Sequence, residues 1–210
     1  MRVLHTSDLH GETWRLYEHS AFDVWLDTGD FFPNMTRGII PFEMDFQRGW
    51  FNKHAEKILG WLQGRPVLSV PGNHDFVSLV DMINQRKRSD AREITPRGIT
   101  AGGFKWAGFR NINFIVGEWA GESQHDELKS LVEMTWASNH GILVTHAPPG
   151  GILDDTVGYG IAYLSTALAY HPHKIRTHFF GHCHEDAGRS VEEMGVTFYN
   201  GSRGAKIINI

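Results

Sequence analysis

The residues best suited to chemistry occur in five short motifs, each at a point where a hydrophobic run breaks into a loop. As candidate metal ligands the motifs supply two carboxylates, one amide and four imidazoles, with a further imidazole at His74 beside them. A mixed set of oxygen and imidazole ligands is typical of a site that holds two transition-metal ions. The pattern therefore predicts a metal-dependent hydrolase. The motifs are Asp8-Leu9-His10, Gly29-Asp30, Gly72-Asn73-His74-Asp75, Thr145-His146 and Gly181-His182-Cys183-His184.

Composition sets milder bounds on the fold and the function. The chain has 210 residues, of which 41% are hydrophobic and 21% charged, as is typical of one globular domain, residues 1–210, with a proper core. A net charge of −4 argues against the basic surface that nucleic-acid binding favours. The single cysteine, Cys183, forms no internal disulfide, and the sequence has no apolar run of signal-peptide or membrane-span length. We therefore expect a cytoplasmic protein with no membrane partner.

The motifs follow segments whose hydrophobic pattern predicts strands. Four helices are expected between these strands, over residues 42–62, 76–83, 126–136 and 161–169, and Asp75 is expected near the start of the second helix. Closely spaced turn residues predict antiparallel β-structure over residues 92–117. The predicted strands begin with Val3-Leu4 and continue with residues 22–26, 66–70, 141–144, 176–180, 196–199 and 206–210.

The positions of the motifs predict a shared site. In α/β folds, functional loops lie at the carboxyl ends of strands, and Asp8, Asp30, Asn73, His146 and His182 each follow a predicted strand within a few residues. A β-α-β first half and a β-rich second half indicate an α/β sandwich, in which two mixed sheets pack face to face with helices outside. The ligands should gather at one rim of that sandwich.

The order of the motifs resembles that of the calcineurin-like metallophosphoesterase superfamily: Asp-x-His, Gly-Asp, Gly-Asn-His-Asp/Glu, His and Gly-His-x-His. All five blocks are present in order over residues 8–184. The resemblance implies a four-layer αββα sandwich. The small size and the phrase Thr-His-Ala-Pro-Pro-Gly at residues 145–150 are similar to compact phosphodiesterases, including the class III cyclic nucleotide phosphodiesterases.

The resemblance also implies a ligand set. One metal site would take Asp8, His10, Asp30 and His184, and the other would take Asp30, Asn73, His146 and His182, so that Asp30 bridges the two ions. Oxygen and imidazole ligands suit Mn²⁺, Fe or Zn²⁺ better than Ca²⁺ or Mg²⁺, and the family resemblance favours Mn²⁺.

Roles for the remaining polar residues follow from chemistry. We expect His74 to be a general acid rather than a ligand, with Asp75 fixing its tautomer and orientation. Arg110 and Arg203 are candidates for a phosphate contact, because a guanidinium pairs with phosphate at two points. Cys183 should point away from the two histidines beside it, because side chains alternate in an extended segment, and we interpret it as a packing residue.

The leading hypothesis is a bimetallic phosphoesterase that cleaves a small phosphodiester, such as a nucleotide, by in-line attack of a metal-bridging hydroxide. One alternative is a DNA nuclease of the double-strand-break repair type, against which stand the absence of a basic excess and the short chain after the last motif. Another is a non-catalytic scaffold, as in a retromer subunit of the same fold, against which stands the competent residue at every ligand position. The loops at residues 31–45, 102–124 and 147–160 are expected to set specificity.

Overall fold

The computed structural model describes residues 1–35, 39–154 and 159–210. Within them, one sheet has five strands, of which β1 to β4 run parallel and β13 pairs antiparallel with β1. Its strand order is β13-β1-β2-β3-β4. The strands are β1 (Arg2–Ser7), β2 (Val24–Asp27), β3 (Val67–Ser69), β4 (Ala91–Glu93) and β13 (Gly204–Asn209).

The second sheet has six strands in the order β11-β12-β10-β9-β6-β5. Its four central strands run parallel, and an antiparallel partner closes each edge. These strands are β5 (Ile99–Ala101), β6 (Phe104–Phe109), β9 (Ile142–Thr145), β10 (Thr177–Phe180), β11 (Ser190–Glu193) and β12 (Val196–Asn200). A small parallel pair lies apart from both sheets and consists of β7 (Ile112–Asn113) and β8 (Glu122–Ser123).

Side-chain alternation along the strands produces the layers. In β1, Val3 contributes to the apolar cluster between the two sheets and Leu4 to the cluster under the helices. In β9, Val144 belongs to the cluster between the sheets, whereas Leu143 faces the helices of the other side. Both faces of each central strand are therefore buried, as expected of parallel strands covered by helices.

Helices cover both outer faces of the sandwich. On the side of the first sheet, Leu16, Phe51 and Ile83 bring α1, α2 and α3 into one apolar cluster with Trp25. On the side of the second sheet, α4 and α5 form another apolar cluster with strands β9, β10 and β12. The helices are α1 (Trp14–Tyr17), α2 (Ile40–Leu62), α3 (Leu79–Asn84), α4 (His125–Ala137) and α5 (Ala162–Tyr170), and His184–Asp186 form a 3₁₀ turn. The predicted fold class, two mixed sheets with helices outside, is confirmed.

Two local expectations were wrong. The structure over residues 92–117 is not uniformly antiparallel, because β4 pairs in parallel with β3 and β7 pairs in parallel with β8; only the β5–β6 hairpin follows the expectation. The third helix begins at Leu79 rather than at Phe76, and Ser78 caps it by accepting a hydrogen bond from the Asp81 amide at 3.1 Å. Asp75 therefore lies in the loop before the helix. No helix among the described residues is both long and apolar enough to span a membrane.

Candidate metal centre

The predicted ligands converge where the carboxyl ends of strands from both sheets meet. Asp8 and His146 come directly after β1 and β9, and Asp30, Asn73 and His182 follow β2, β3 and β10 within four residues. Hydrogen bonds join the two sheets at this point: among them, the His182 amide donates to Asp8 Oδ2 at 2.9 Å, and His146 Nδ1 donates to the carbonyl of Thr28 at 2.8 Å. The strand-end prediction of a common rim thus matches the observed geometry.

A cavity of about 480 Å³ opens at this rim. Its polar part contains six of the seven predicted ligands together with His74, and its remaining lining is aromatic, apolar or charged. The seventh predicted ligand, His146, is fully buried beneath the cavity. The lining residues are Asp8, His10, Asp30, Asn73, His74, Ile115, Trp119, Tyr159, His182, His184, Glu185 and Arg203.

Asp30 is at the centre of the polar cluster. Its Oδ2 lies 3.5 Å from Nε2 of His146 and 3.9 Å from Nε2 of both His10 and His74. Asp8 Oδ1 lies 3.0 Å from Nε2 of His184. Ligand atoms within 4.8 Å of one another form three overlapping groups: Asp8 with His10 and His184, Asp8 with Asp30 and His146, and Asp30 with His10 and His74. The division of ligands between two ions, and the exclusion of His74 from them, stay predictions.

The backbone at these residues is held in an uncommon conformation. Four of the seven predicted ligands have positive φ angles, at 53° for Asp8, 44° for His10, 56° for Asp30 and 69° for His182. Such strained positions cost non-glycine residues roughly 1–3 kcal/mol each, and they cluster at functional sites in proteins. The surrounding hydrogen bonds must therefore hold the ligands against their local preference.

Two glycines make the close approach of the loops feasible. A Cβ at Gly72 would overlap the Asp30 carboxylate, and a Cβ at Gly181 would overlap Ser7 and the Asp8 carboxylate. Any larger residue at either position would push a ligand carboxylate out of the cluster. The glycines of the Gly72-Asn73-His74-Asp75 and Gly181-His182-Cys183-His184 motifs are thus steric requirements of the site.

The carboxylates of Asp8 and Asp30, both predicted ligands, are buried, yet their surroundings favour the ionised form. Burial opposes ionisation of Asp8, but the hydrogen bond from His184 and the charge of His146 lower its pKa below the usual range. Burial likewise opposes ionisation of Asp30, but the charges of His146, His74 and His10 lower its pKa well below the usual range. The cluster therefore concentrates negative charge that a cation can neutralise.

The surroundings of His146 favour a positive charge on its side of the cluster. Because its Nδ1 donates to the Thr28 carbonyl, its Nε2 faces Asn73 Oδ1 at 2.9 Å and Asp30 Oδ2 at 3.5 Å. A neutral ring would present a lone pair to these oxygens. Burial disfavours the imidazolium, yet Asp30 raises the pKa of His146 to about 9. The carboxylate thus favours a positive charge at Nε2, and the carbonyl bond on the other nitrogen is typical of metal-binding histidines.

His182 supplies a second indication of metal binding. Its Nε2 is buried and has no hydrogen-bond partner among the described residues. Burial, together with the charge of His146, lowers the pKa of His182 to about 4, so the ring is neutral and keeps one nitrogen lone pair. A buried imidazole with an unused nitrogen beside two carboxylates fits a metal ligand. The residues present therefore fit the two divalent ions that the donor set implies.

Arg203 adjoins the cluster through His184. Its Nε donates to His184 Nδ1 at 3.0 Å. Because a guanidinium has no acceptor, Nδ1 must be unprotonated in this arrangement, and Nε2–H donates to Asp8. Arg203 lines the cavity, as a phosphate contact requires.

The predicted role of Asp75 in orienting His74 was wrong. His74 Nδ1 donates to Oδ1 of Asn34 at 2.7 Å. The Asp75 carboxylate accepts instead from the backbone amides of Asp30, Gly72 and Phe32, at 2.7, 2.8 and 3.1 Å. These three amides belong to the two loops that carry Asp30 and Asn73. Asp75 therefore fixes the frame of the ligands, because buried amides outside the sheets need an acceptor.

Neither Arg110, a predicted phosphate contact, nor Cys183, interpreted as a packing residue, is among the described residues that line the cavity. Arg110 Nη2 donates to the carbonyls of Gly72 and Asp75, at 2.9 Å each. It therefore clamps the motif from the second sheet rather than facing the cavity. Cys183 is buried, and its Sγ donates to Asp154 Oδ1 at 3.4 Å, away from the ligand groups.

Several residues at the site carried no signal of their own in the sequence. Asn34 lies in a loop whose path depends on tertiary contacts, and Thr28 contributes only a backbone carbonyl. Trp119 and Tyr159 fall within the rim loops that were expected to set specificity, but no periodic pattern marks them as cavity residues. A large aromatic residue in a rim loop was the one available hint.

Comparison with known proteins places this site in a family. Residues 1–186 match the calcineurin-like phosphoesterase family, whose members are metal-dependent hydrolases with two divalent ions. No curated protein sequence matches the chain. One crystal structure is similar in fold, with a TM-score of 0.60 and 13% identity over 99% of this chain and 98% of that chain. At that identity the likeness shows the fold alone.

Two larger proteins align more weakly. A 5′-nucleotidase precursor from Thermus thermophilus has a TM-score of 0.44 and 15% identity over 88% of this chain and 42% of that chain. The Thermus thermophilus sulfate thiohydrolase SoxB, in complex with glycerol, has a TM-score of 0.40 and 14% identity over 93% of this chain and 36% of that chain. The chain thus spans less than half the length of either protein.

The family match covers the first four motifs and reaches through Gly181-His182-Cys183-His184, the residues that meet at the rim of the sandwich. On that match, the chain belongs to the calcineurin-like phosphoesterase family.

Proposed function

We propose that the chain is a bimetallic phosphodiesterase that hydrolyses a small phosphoester, such as a nucleotide, with Mn²⁺ as its metal and Fe or Zn²⁺ as alternatives. The observation that supports this most is the position of the Asp30 carboxylate, with three histidine Nε2 atoms 3.5–3.9 Å from its Oδ2 and the Asp8–His184 pair beside it. When bound, two ions lower the pKa of a water molecule and neutralise charge on the phosphoryl group.

The chain's own residues would hold and orient the substrate. The predicted ligands fix the ions, and Asp75 and Arg110 fix the loops that carry those ligands. Arg203 lines the cavity on the side of His184 and supplies a positive charge for a phosphoryl oxygen. The phosphate would then lie between the ligand cluster and Arg203.

His74 is the proposed proton donor to the leaving oxygen. Asn34 accepts the proton of Nδ1, so Nε2 faces the Asp30 side of the cavity. Burial lowers the pKa of His74, although Asp30 opposes this change. A lowered pKa makes the ring a readier acid once it is protonated, and general acid help of this kind contributes roughly 10²–10⁴ to a rate.

Hydrolysis assays with controlled metal content test the proposal. Metal-stripped protein is supplied with Mn²⁺, Zn²⁺ or Mg²⁺ and assayed with bis(p-nitrophenyl) phosphate and p-nitrophenyl phosphate. We expect hydrolysis of the diester to require added metal, to be fastest with Mn²⁺ and to exceed that of the monoester. The matched controls are Asp30→Asn, which should be inactive, and Asp45→Asn, an exposed carboxylate that should not matter. If diester hydrolysis persists in Asp30→Asn, the site is elsewhere.

A cytoplasmic location and a small-molecule substrate, rather than a macromolecular partner, are also part of the proposal. The single cysteine supports the location, since a chain with one cysteine needs no oxidising compartment for an internal disulfide. Fractionation of the source cells with an antibody against the protein tests it, and recovery with a membrane or secreted fraction would contradict it.

A further inference from the structure

One wall of the cavity differs in character from the ligand cluster. Ile115, Trp119 and Tyr159 form this wall, and the charged residues Glu185 and Arg203 also line the cavity. Trp119 lies against the ring of His74, with 4.2 Å between the ring centroids and a 38° angle between the planes. Tyr159 contacts His182 edge to face, at 5.4 Å and 88°. An aromatic wall thus rises directly beside the residue proposed to protonate the leaving oxygen.

The loop that carries Trp119 is held rigidly by one carboxylate. Glu122 Oε2 accepts from the amides of Ile115, Val116 and Gly117 at 2.7–2.9 Å, and its Oε1 accepts from the Trp119 amide at 3.0 Å. The Ala120 amide donates to the carbonyl of Asn73 at 3.0 Å and so ties the loop to the metal centre. The backbone that carries the indole is therefore held in place by the chain's own hydrogen bonds.

The same loop exposes apolar side chains on both sides of the cavity-lining residue Ile115 along the chain. Phe114 and Val116 are 51% and 58% exposed, and Ile115, which lines the cavity, is 38% exposed. Apolar side chains held in place beside a polar site are typical of a ligand-binding surface, because a few polar groups orient a ligand whose bulk contacts apolar walls. If Trp119 served only to cover His74, the contact on one face of the indole would be accounted for. The exposed apolar residues beside Trp119 would not be.

We propose that the substrate is a phosphoester whose leaving alcohol carries a planar ring, a nucleobase or an aryl group, which packs against Trp119. The inference rests on the proposed function. The contact between Trp119 and His74 places the ring beside the leaving oxygen. In the reaction, a water molecule gives up one proton to solvent and its oxygen bonds to phosphorus, while the bond from phosphorus to the leaving oxygen breaks. The leaving oxygen receives a proton from His74, and His74 regains a proton from solvent.

Calorimetry of ligand binding to the Mn²⁺-loaded full chain tests the proposal. The probes are inorganic phosphate, which has no ring, phenyl phosphate and adenosine 5′-monophosphate. We expect Trp119→Ala to weaken a ring-bearing probe about tenfold relative to phosphate, because stacking of one ring contributes about that much. Trp119→Phe, which keeps an aromatic ring, should retain most of the preference, and Tyr170→Ala, an exposed aromatic outside the set of cavity-lining residues, should retain all of it. Loss with phenyl phosphate and adenosine 5′-monophosphate alike indicates an aryl platform, and loss with adenosine 5′-monophosphate alone indicates a nucleobase site.

Hydrolysis provides the second readout. The ratio of kcat/KM for bis(p-nitrophenyl) phosphate to that for glycerophosphocholine, a ringless diester, should fall in Trp119→Ala. An unchanged ratio, or equal weakening of phosphate and the ring-bearing probes, overturns the inference while leaving the proposed function intact if the wild type still cleaves diesters. A wild-type protein that cleaves no phosphoester with any metal overturns both.

Discussion

His74 Nδ1 donates a hydrogen bond to Oδ1 of Asn34, at 2.7 Å. A neutral amide, rather than a carboxylate, thus holds the ring, and it leaves Nε2 toward the cavity, 3.9 Å from Asp30 Oδ2. Asn34 Nδ2 in turn donates to the carbonyl of His74 at 3.3 Å, so both ends of the amide hold the same residue. The orientation of the proposed acid depends on this pair.

We expect Asn34→Leu to lower kcat by about 10- to 100-fold, the range typical of residues that orient a functional histidine. The ring of His74 would lose its acceptor, while the predicted ligands keep their positions. Steady-state kinetics and metal content, measured by mass spectrometry, check this expectation. Asn34→Asp keeps an acceptor oxygen and should retain more activity than Asn34→Leu. Loss of metal in Asn34→Leu would show that Asn34 supports the ligands instead.

His74→Ala should lower kcat by roughly 10²–10⁴ while two ions remain bound, since general acid help is lost. The loss should be larger for diesters of poor leaving alcohols than for p-nitrophenyl esters, because a p-nitrophenolate leaves without a proton. The metal content of this variant also shows whether His74 is a ligand, since its ring lies in one group of candidate ligand atoms with His10 and Asp30. A fall in metal content from two ions to one per chain would show that His74 is a ligand.

Asp75→Asn should destabilise the fold, because the new amide group would face buried backbone donors that the carboxylate now satisfies. Leaving such donors without an acceptor costs roughly 1–3 kcal/mol of the free energy of unfolding. Urea unfolding of the metal-free protein measures the change, with Asp45→Asn as the exposed control. Equal stability of the two variants would mean that Asp75 has no framing role.

The metal-free protein should lose stability as the pH rises toward 9. The folded-state pKa of His146, about 9, lies above its ordinary value of 6.5, so its imidazolium stabilises the fold fully below about pH 6.5 and the contribution is lost as the pH rises through about 9. The difference in pKa corresponds to about 3 kcal/mol. Urea unfolding between about pH 7 and about pH 9 should show this decline in the wild type and not in His146→Gln. If the free energy of unfolding declined equally with pH in the wild type and in His146→Gln, the assigned charge on His146 would be contradicted.

The sequence predicted a common rim for the strand-end residues because two local signals agree at those positions: a residue type that can bind metal and a preceding hydrophobic run. Asp8, Asp30 and His146 each follow a buried run, and the parallel pairing of the strands brings such ends to one edge. Both signals depend on neighbouring residues in the chain.

What the sequence did not predict depends on contacts between distant residues. Asp75 was assigned to His74 because the two are adjacent, but its carboxylate is taken by amides of the Asp30 loop, 45 residues away in the chain. Asn34 reaches His74 across a loop, and Trp119 reaches it because Glu122 and Asn73 hold the intervening backbone. No periodicity encodes such loop paths, so the acid's partner and the aromatic wall required the structure.

We propose that the five strand-end motifs form one centre for two ions that share Asp30. Anomalous diffraction from crystals grown with Mn²⁺ measures this most directly. We predict two anomalous peaks about 3.5–4 Å apart, both within bonding distance of the Asp30 carboxylate, with Asp8 on one side and His146 on the other. A single peak, or peaks that do not contact Asp30, would contradict the account.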